Sequence, residues 1–206
     1  MDNAWEKIYK EGKLINSKPH SEIKRISRLF SKNNFKRILD LGCGAGRNLV
    51  YLSERGFDLY GLDSSAAGLI LTIGELNKKR LSAHLIIHDM KSLPYDNEYF
   101  DAVISIQVIH HNKLKDIKTT ISEITRVLKK EGIIWITMPV SQNESSTKQE
   151  EMEPGTFLPL NGPEKGLPHH YFKKLEILQI FTNFSIIDLH IDKANHYSLL
   201  ARKVKK

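Results

Sequence analysis

The chain has 206 residues, 40% of them hydrophobic, a formal net charge of +7 and one cysteine, Cys43. That length and apolar share suit one globular domain with a full core. No apolar run reaches the ~20 residues that span a bilayer, and a lone cysteine excludes an internal disulfide, as expected of a protein in a reducing, cytoplasmic compartment. Met1–Lys13 is mixed in charge and lacks the apolar core of a signal peptide. The basic charge sits on the ends. Residues 1–37 hold ten Lys/Arg against four Asp/Glu and residues 202–206 add four more cations, so the stretch between is net negative by three. Nucleic-acid enzymes carry a basic stripe interleaved with aromatics along the binding face; this distribution argues against such a substrate.

In chain order, Asp2–Lys10 reads as a short helix carrying Trp5, Ile8 and Tyr9. Residues 19–32 read as a second, with Ile23, Ile26 and Phe30 on one stripe and Ser21 as its start. From there strands and helices alternate. Lys36–Leu41 is a buried strand, Gly46–Arg55 a helix, Phe57–Leu62 a strand, Ser65–Arg80 a helix, Ala83–His88 a strand and Phe100–Ile106 a strand. Leu114, Ile117, Ile121, Ile124 and Leu128 recur at helical spacing, with Asn112 as a cap, before a fifth strand, Ile133–Met138. This alternation argues for a parallel sheet covered on both faces. Residues 141–168 are polar, rich in Pro and Gly and without a period, which predicts a structureless lid or binding loop. Tyr171–Phe181 looks helical, and Ser185–Asp192 and Tyr197–Arg202 read as two strands joined too tightly to be anything but antiparallel. The reading is one domain over 1–206, with N-terminal helices in 1–34 and a substrate lid over 141–170.

The most informative stretch is Ile38–Asn48, I-L-D-L-G-C-G-A-G-R-N. An apolar run ends in an acid, and glycines 42, 44 and 46 follow at alternate positions. Without Cβ they let the backbone turn sharply and approach a ligand, and the helix behind them points its N-terminus at the site. By itself this is equally a tight strand–helix turn. Two features sharpen it. The spacing is GxGxG, whereas a dinucleotide fingerprint wants GxGxxG, and Asp40 precedes the loop. An anion there hinders a pyrophosphate but suits a ligand with an amino group or positive charge. Asp63, closing the second strand, is placed to accept from ribose hydroxyls, and Asp89, after the third, from an exocyclic adenine amine. Each could alone be a cap or turn residue; three after successive parallel strands point to a nucleoside.

With these residues the chain resembles the class I S-adenosylmethionine-dependent methyltransferases, from about Lys36 to Met138. Residues 38–46 match the family's glycine motif, Asp63 its second acid, and His88-Asp89-Met90 with Leu93-Pro94-Tyr95 its adenine-binding segment. Phe100–Ser105 resembles its fourth strand. Ile124–Gly132 resembles its helix-five segment, with Lys-Glu-Gly in place of the usual Pro-Gly-Gly. The resemblance implies an α/β, Rossmann-like three-layer sandwich whose seven-stranded, mostly parallel sheet ends in an antiparallel hairpin. It implies S-adenosyl-L-methionine as cofactor and S-adenosyl-L-homocysteine as product. Asp40 and the backbone at Gly42 and Gly44 would hold the methionine part, with Cys43, Gly46 and Ser64 alongside. Asp63 would bind ribose, Asp89 and the Met90 amide the adenine, and Ile106 and Gln107 would line the methyl side. A narrower likeness, through Pro19-His20-Ser21-Glu22 and Leu189-His190 with Leu200–Lys203, is to the small tellurite-resistance methyltransferases. Ile191 stands where that subfamily has an arginine, so the substrate does not carry over.

Methyl transfer from a sulfonium is an in-line displacement in which positioning does much of the work; no metal is needed, and none is expected. An amine or hydroxyl acceptor benefits from a base. The candidates are His110 and His111 after the fourth strand and His190 in the hairpin, each equally readable as structural; His169 and His170 follow the lid. His84 and His88 share a strand face and read as packing rather than a ligand pair. Trp5 and Tyr9 either wall the sulfonium or simply dock their helix. The expected partner is a small-molecule acceptor (thiol, amine, hydroxyl or an oxyanion such as tellurite), with no membrane. Three rivals stay open: an RNA or other nucleic-acid methyltransferase, a dinucleotide oxidoreductase and a non-catalytic cofactor-binding module. Ser105-Ile106-Gln107-Val108 lacks the Asn/Asp-Pro-Pro-aromatic run of enzymes that methylate base amines.

Overall fold

A computed structural model of the protein describes residues 4–141 and 148–204. Asp2 and Asn3 of the expected first helix and residues 142–147 of the expected lid fall outside them. The first half runs α1 (Ala4–Lys10), α2 (Ile23–Lys32), β1 (Arg37–Leu41), α3 (Arg47–Ser53), β2 (Asp58–Asp63), α4 (Ala66–Lys78), β3 (His84–Ile87) and β4 (Phe100–Ile106). It continues with α5 (Leu114–Val127), β5 (Leu128–Pro139), β6 (Gln149–Glu153), β7 (Thr156–Pro159), β8 (His169–His170), α6 (Lys174–Ile180), β9 (Phe184–Ile191) and β10 (His196–Lys203).

Seven strands form one sheet in the order β3-β2-β1-β4-β5-β10-β9. The pairings among β1 to β5 are parallel, while β10 runs antiparallel to both β5 and β9. The fold is thus the expected mixed, mostly parallel sheet ending in a hairpin. Its strands read as unbroken apolar runs because both faces are buried. Leu39, Leu41, Val103, Ile134 and Ile136 pack with Ile117, Ile121 and Ile124 of α5 and Ile177 of α6. Their neighbours Ile38, Ala102, Ile104, Ile133 and Trp135 pack with Ile26 and Phe30 of α2, Leu49 and Leu52 of α3 and Leu69 and Leu76 of α4. Alternate residues of one strand thereby serve opposite layers.

The chain order reverses direction across the sheet between β1 and β4, since β2 and β3 lie to one side of β1 and β4 and β5 to the other. Loops leaving the carboxyl ends of β1 and β4 therefore diverge and leave a crevice, where open α/β sheets bind ligands.

Residues 141–170 are not structureless. Among the described ones, β6, β7 and β8 form a separate three-stranded antiparallel sheet. The hairpin turns at Pro154-Gly155, with Gly155 at φ 79°, a turn signal visible in the sequence. What hid the strand before it is composition. Gln149–Glu153 is Q-E-E-M-E, a charged edge strand without an apolar stripe. The sheet is tied to the main body where the Glu153 carboxylate accepts from the Leu114 amide at 2.7 Å, at the start of α5. That carboxylate, rather than Asn112, serves the start of this helix. Three further boundaries move. The last helix begins at Lys174 instead of Tyr171, because Phe172 is bridged to Val140 and the Tyr171 amide donates to Gly155. Strand β5 begins directly at Leu128, five residues early, and Glu131 at φ 62° marks its irregular start. At α2 the N-cap position is Glu22, with no side-chain cap bond, and Ser21 lies outside the helix. No helix among the described residues is long and apolar enough to cross a membrane.

Candidate active site

The glycine loop leaves β1 and is held by its neighbour strand. The amides of Gly42 and Cys43 donate to the Leu62 carbonyl at 2.7 and 3.1 Å. The Gly44 amide donates to Asp63 Oδ2 at 2.8 Å, and the Ser65 amide to Asp63 Oδ1 at 2.9 Å. Asp63 thus locks the loop after β1 to the start of α4 while facing the crevice. Burial raises its pKa above the usual carboxylate range, and the Ser65, Gly44 and Ser64 amides oppose that rise. At Gly44, φ is 54° and a Cβ would run into the Tyr9 hydroxyl, so only glycine fits. Gly46, at φ 81°, turns away from the crevice and packs on Thr72. It serves the turn into α3 and does not line the cleft.

Helix α1 roofs this loop. Glu6 accepts from Ser65 Oγ at 2.7 Å and from the Ala67 amide at 2.9 Å, at the start of α4. Those hydrogen bonds hold its carboxyl down to about 2. Tyr9 lies across Gly44 and Gly68, and burial and the nearby Asp63 raise the pKa of its hydroxyl. The Trp5 ring meets the His111 ring edge-on at 4.8 Å. The two aromatics therefore dock the helix and border the crevice at once.

Asp40 is buried beside the loop at 2% exposure. Burial, with Asp63 adding repulsion, pushes its pKa up to about 7, and the Arg47 guanidinium works against the shift. Arg47 in turn donates to Gln107 Oε1 at 2.7 Å. Gln107 follows β4 in the left-handed region, φ 62°, with its amide donating to Thr137 Oγ1 at 2.9 Å. A non-glycine residue held there costs of order 1–3 kcal/mol and needs such support. Across the cleft Asp89 is exposed and accepts from the Lys91 amide at 2.8 Å, as turn aspartates do. The Met90 sulfur accepts from Asn112 Nδ2 at 3.6 Å.

These groups line one cleft of about 630 Å³. It brings together Trp5, Tyr9, Asp40, Gly42, Cys43, Gly44, Asp63, Ser64, Asp89, Met90, Ile106, Gln107, His110 and His111, all expected from sequence. It adds Arg47, Glu164, Tyr171 and His196, which no sequence pattern singled out as site residues, and His169. Arg47 was legible only as the residue breaking the GxGxxG spacing. The others arrive from the small sheet and the terminal hairpin, far away in sequence. His110 and His111 are kept neutral: burial and the surrounding histidines lower both, His111 to about 3. His170 points elsewhere, between Thr156 Oγ1 at 2.7 Å and Glu176 Oε1 at 3.1 Å. His84 stacks on Tyr60 at 4.5 Å at the start of β3, whereas His88 lines the cleft beyond its end, so the two do not form a pair.

His190 lies outside the cleft lining. Its Nε2 meets Glu22 Oε1 at 2.6 Å and its Nδ1 meets Asp188 Oδ2 at 3.2 Å. Close by, His20 Nε2 meets Asp192 Oδ2 at 3.1 Å. The Pro19–Glu22 and Leu189–His190 segments that carried the narrower likeness are therefore joined in space, fastening the start of α2 to the hairpin. Ile191, in place of the subfamily's arginine, is 52% exposed. Glu22 and Asp188 raise the His190 pKa. A raised folded-state pKa adds stability below the unfolded value of 6.5 that is lost as pH rises through the folded one. His190→Gln is expected to lower the melting temperature more at pH 5.5 than at pH 8.5. The loss is small, about 1 kcal/mol or less, for a pair this exposed. An equal loss at both pH values, by calorimetry, would remove the ion pair from the account.

Residues 39–136 match the family model described as a methyltransferase domain. Among curated proteins, the chain is 28% identical over 109 residues to the malonyl-[acyl-carrier protein] O-methyltransferase of Salmonella typhimurium, covering 53% of this chain and 41% of that one. It is 33% identical over 137 residues to the tRNA (carboxymethyluridine(34)-5-O)-methyltransferase of Arabidopsis thaliana, covering 61% and 32%. The chain thus spans less than half the length of these relatives. Among solved structures, TehB from Haemophilus influenzae superposes with a TM-score of 0.69 at 18% identity, covering 97% of this chain and 67% of that one, a likeness of fold. With the motif residues gathered on one switch-point crevice, the chain is similar to the S-adenosylmethionine-dependent methyltransferases through residues 39–136, a little under half of its length.

Proposed function

We propose that the protein transfers the methyl group of S-adenosylmethionine to a small-molecule acceptor. The observation that carries this reading is the single cleft in which the Asp40–Gly44–Asp63 cradle opens onto a histidine-lined chamber roofed by Trp5 and Tyr9. Asp40 would face the cofactor's ammonium, Asp63 its ribose hydroxyls, and Asp89 and the Met90 amide its adenine. Ile106, Gln107 and His111 would then border the methyl. The acceptor's lone pair attacks the methyl carbon as the carbon–sulfur bond breaks, the bond pair returns to sulfur as S-adenosylhomocysteine, and the acceptor's proton, where it has one, passes to a neighbouring base or water. Holding donor and acceptor in line is the main contribution required of the protein.

A cleft bordered by α1 and the segment that carries the small sheet suits a compact thiol, amine, hydroxyl compound or oxyanion better than a folded polymer. Incubation with methyl-labelled cofactor and a panel of these acceptors, tellurite included, should yield labelled product from one class. Transfer of an RNA kind is favoured by the tRNA methyltransferase among the relatives. It predicts label in tRNA and binding that weakens steeply with salt, and that result would replace the small-molecule reading. Cofactor binding without turnover on either panel would instead mark a binding module.

A further inference from the structure

We infer that His110, His111 and His169 form a binding site for a divalent transition-metal ion, zinc foremost, in the histidine-lined end of the cleft. One ring nitrogen from each lies within 4.8 Å of the other two, and two of the three residues are buried. The ring centroids stand 3.9 Å apart for His110–His111, 4.5 Å for His111–His169 and 5.8 Å for His110–His169. Bonds of about 2.0–2.1 Å to a tetrahedral zinc need ligand atoms roughly 3.3 Å apart. Closure by about 1.5 Å at most, within reach of side-chain rotation, completes the set.

Two observations separate this cluster from packed core histidines. The Nδ1 atoms of His110 and His111 are both buried without a hydrogen-bond partner. Such atoms are rare and cost about 1–3 kcal/mol each; two on adjacent residues of one cluster are unspent ligand capacity for a cation. The backbone also holds the cluster together, since the His170 amide donates to the His110 carbonyl at 2.8 Å. That bond pins β8 to the segment after β4 across a long stretch of sequence.

The surroundings have the form of a metal ligand's support. His169 Nδ1 lies 3.0 Å from the Leu167 carbonyl and Nε2 lies 3.1 Å from Glu164 Oε2, so Nε2 gives up its proton and its bond to Glu164 when it takes the metal. A ring fixed through its other nitrogen by a carbonyl, as Leu167 fixes His169, is the usual arrangement around a ligating histidine. Three imidazoles suit zinc, cobalt, nickel or iron(II) rather than magnesium or calcium, which take oxygen ligands. Three protein ligands also leave a fourth position, as catalytic zinc sites do. If the proposed transfer holds, that position would take the acceptor's oxygen or sulfur, its proton lost on coordination, beside the methyl.

The test needs no methyl transfer and no cofactor, so its outcome is independent of the proposed activity. Chelator-stripped full-length protein is titrated with Zn2+ by calorimetry and with Co2+ by visible absorption. One equivalent should bind, with the strong visible bands of low-symmetry four-coordinate Co2+. His111→Gln and His169→Gln should each weaken Zn2+ binding at least 100-fold. His190→Gln should leave it unchanged. Absence of stoichiometric binding, or unaltered binding in the histidine variants, overturns the site. Should those variants fail to fold, X-ray absorption of the parent protein with Zn2+ decides: three imidazoles support the site, and an all-oxygen shell overturns it.

Discussion

Replacing Asp63 by alanine is expected to abolish the rise in melting temperature that S-adenosylhomocysteine gives the parent protein, and to raise its Kd at least 100-fold. Two hydrogen bonds from ribose hydroxyls to a carboxylate are worth about 1.5–3 kcal/mol each, and 1.4 kcal/mol is tenfold in affinity. The variant also strands the Gly44 and Ser65 amides, now held at 2.8 and 2.9 Å, and should lose about 1–3 kcal/mol of stability. Asp63→Asn keeps the shape and one acceptor oxygen, and should fall between the two. Calorimetric titration of folded Asp63→Asn therefore separates lost recognition from lost structure. Parent-like affinity in both variants would remove Asp63 from the cofactor site. A shift produced by a dinucleotide instead would overturn the cofactor itself.

Cofactor affinity should also fall with acidification, through Asp40. Its pKa in the free protein is raised from 3.8 to about 7 by burial and by Asp63. The cofactor's positive charge favours the carboxylate, so binding below pH 7 must first remove a proton. Affinity should then drop about tenfold for each pH unit below 7, with proton uptake from the carboxyl's site by buffer measurable by calorimetry in two buffers. For the free protein the sign is opposite. A carboxyl whose folded pKa lies above its unfolded value gives stability that is full below pH 3.8, declines as pH rises and levels off above 7. Asp40→Asn should therefore raise the melting temperature of the free protein at pH 8, weaken cofactor binding there and flatten the pH profile. An affinity in the parent that stays constant between about pH 5.5 and 8 would remove this linkage.

Much of the site was readable because its residues lie at the ends of parallel strands, where position along the chain determines position on the sheet edge. Asp40 is next to last in β1, Asp63 closes β2 and Asp89 comes two residues after β3, and the three strands are adjacent. Gly46 was the exception inside the motif: alternation in sequence does not reveal that it turns toward Thr72 while Gly44 faces Tyr9. His190 illustrates a different gap. A histidine on a hairpin strand has two equally good destinations, and only the approach of Glu22, 168 residues away, decided for an ion pair.

The histidine cluster marks where reading from sequence ends. His110-His111 and His169-His170 are two similar pairs on paper, yet His169 joins the first pair while His170 bonds Thr156 and Glu176. A charged edge strand, Gln149–Glu153, and a hairpin at Gly155 bring about that difference, and neither has an apolar period to announce it. By itself the sequence determined the layered fold, the sheet's antiparallel ending and the gathering of Asp40, Gly44 and Asp63 on one cleft. Those follow from local periodicity and from turns that only glycine and short acids can make. Only the tertiary structure decided that α1 roofs the cleft, that the segment after β5 folds into a second sheet, and which histidines face one another. These depend on contacts between segments distant along the chain, made by polar and aromatic side chains that leave no periodic trace.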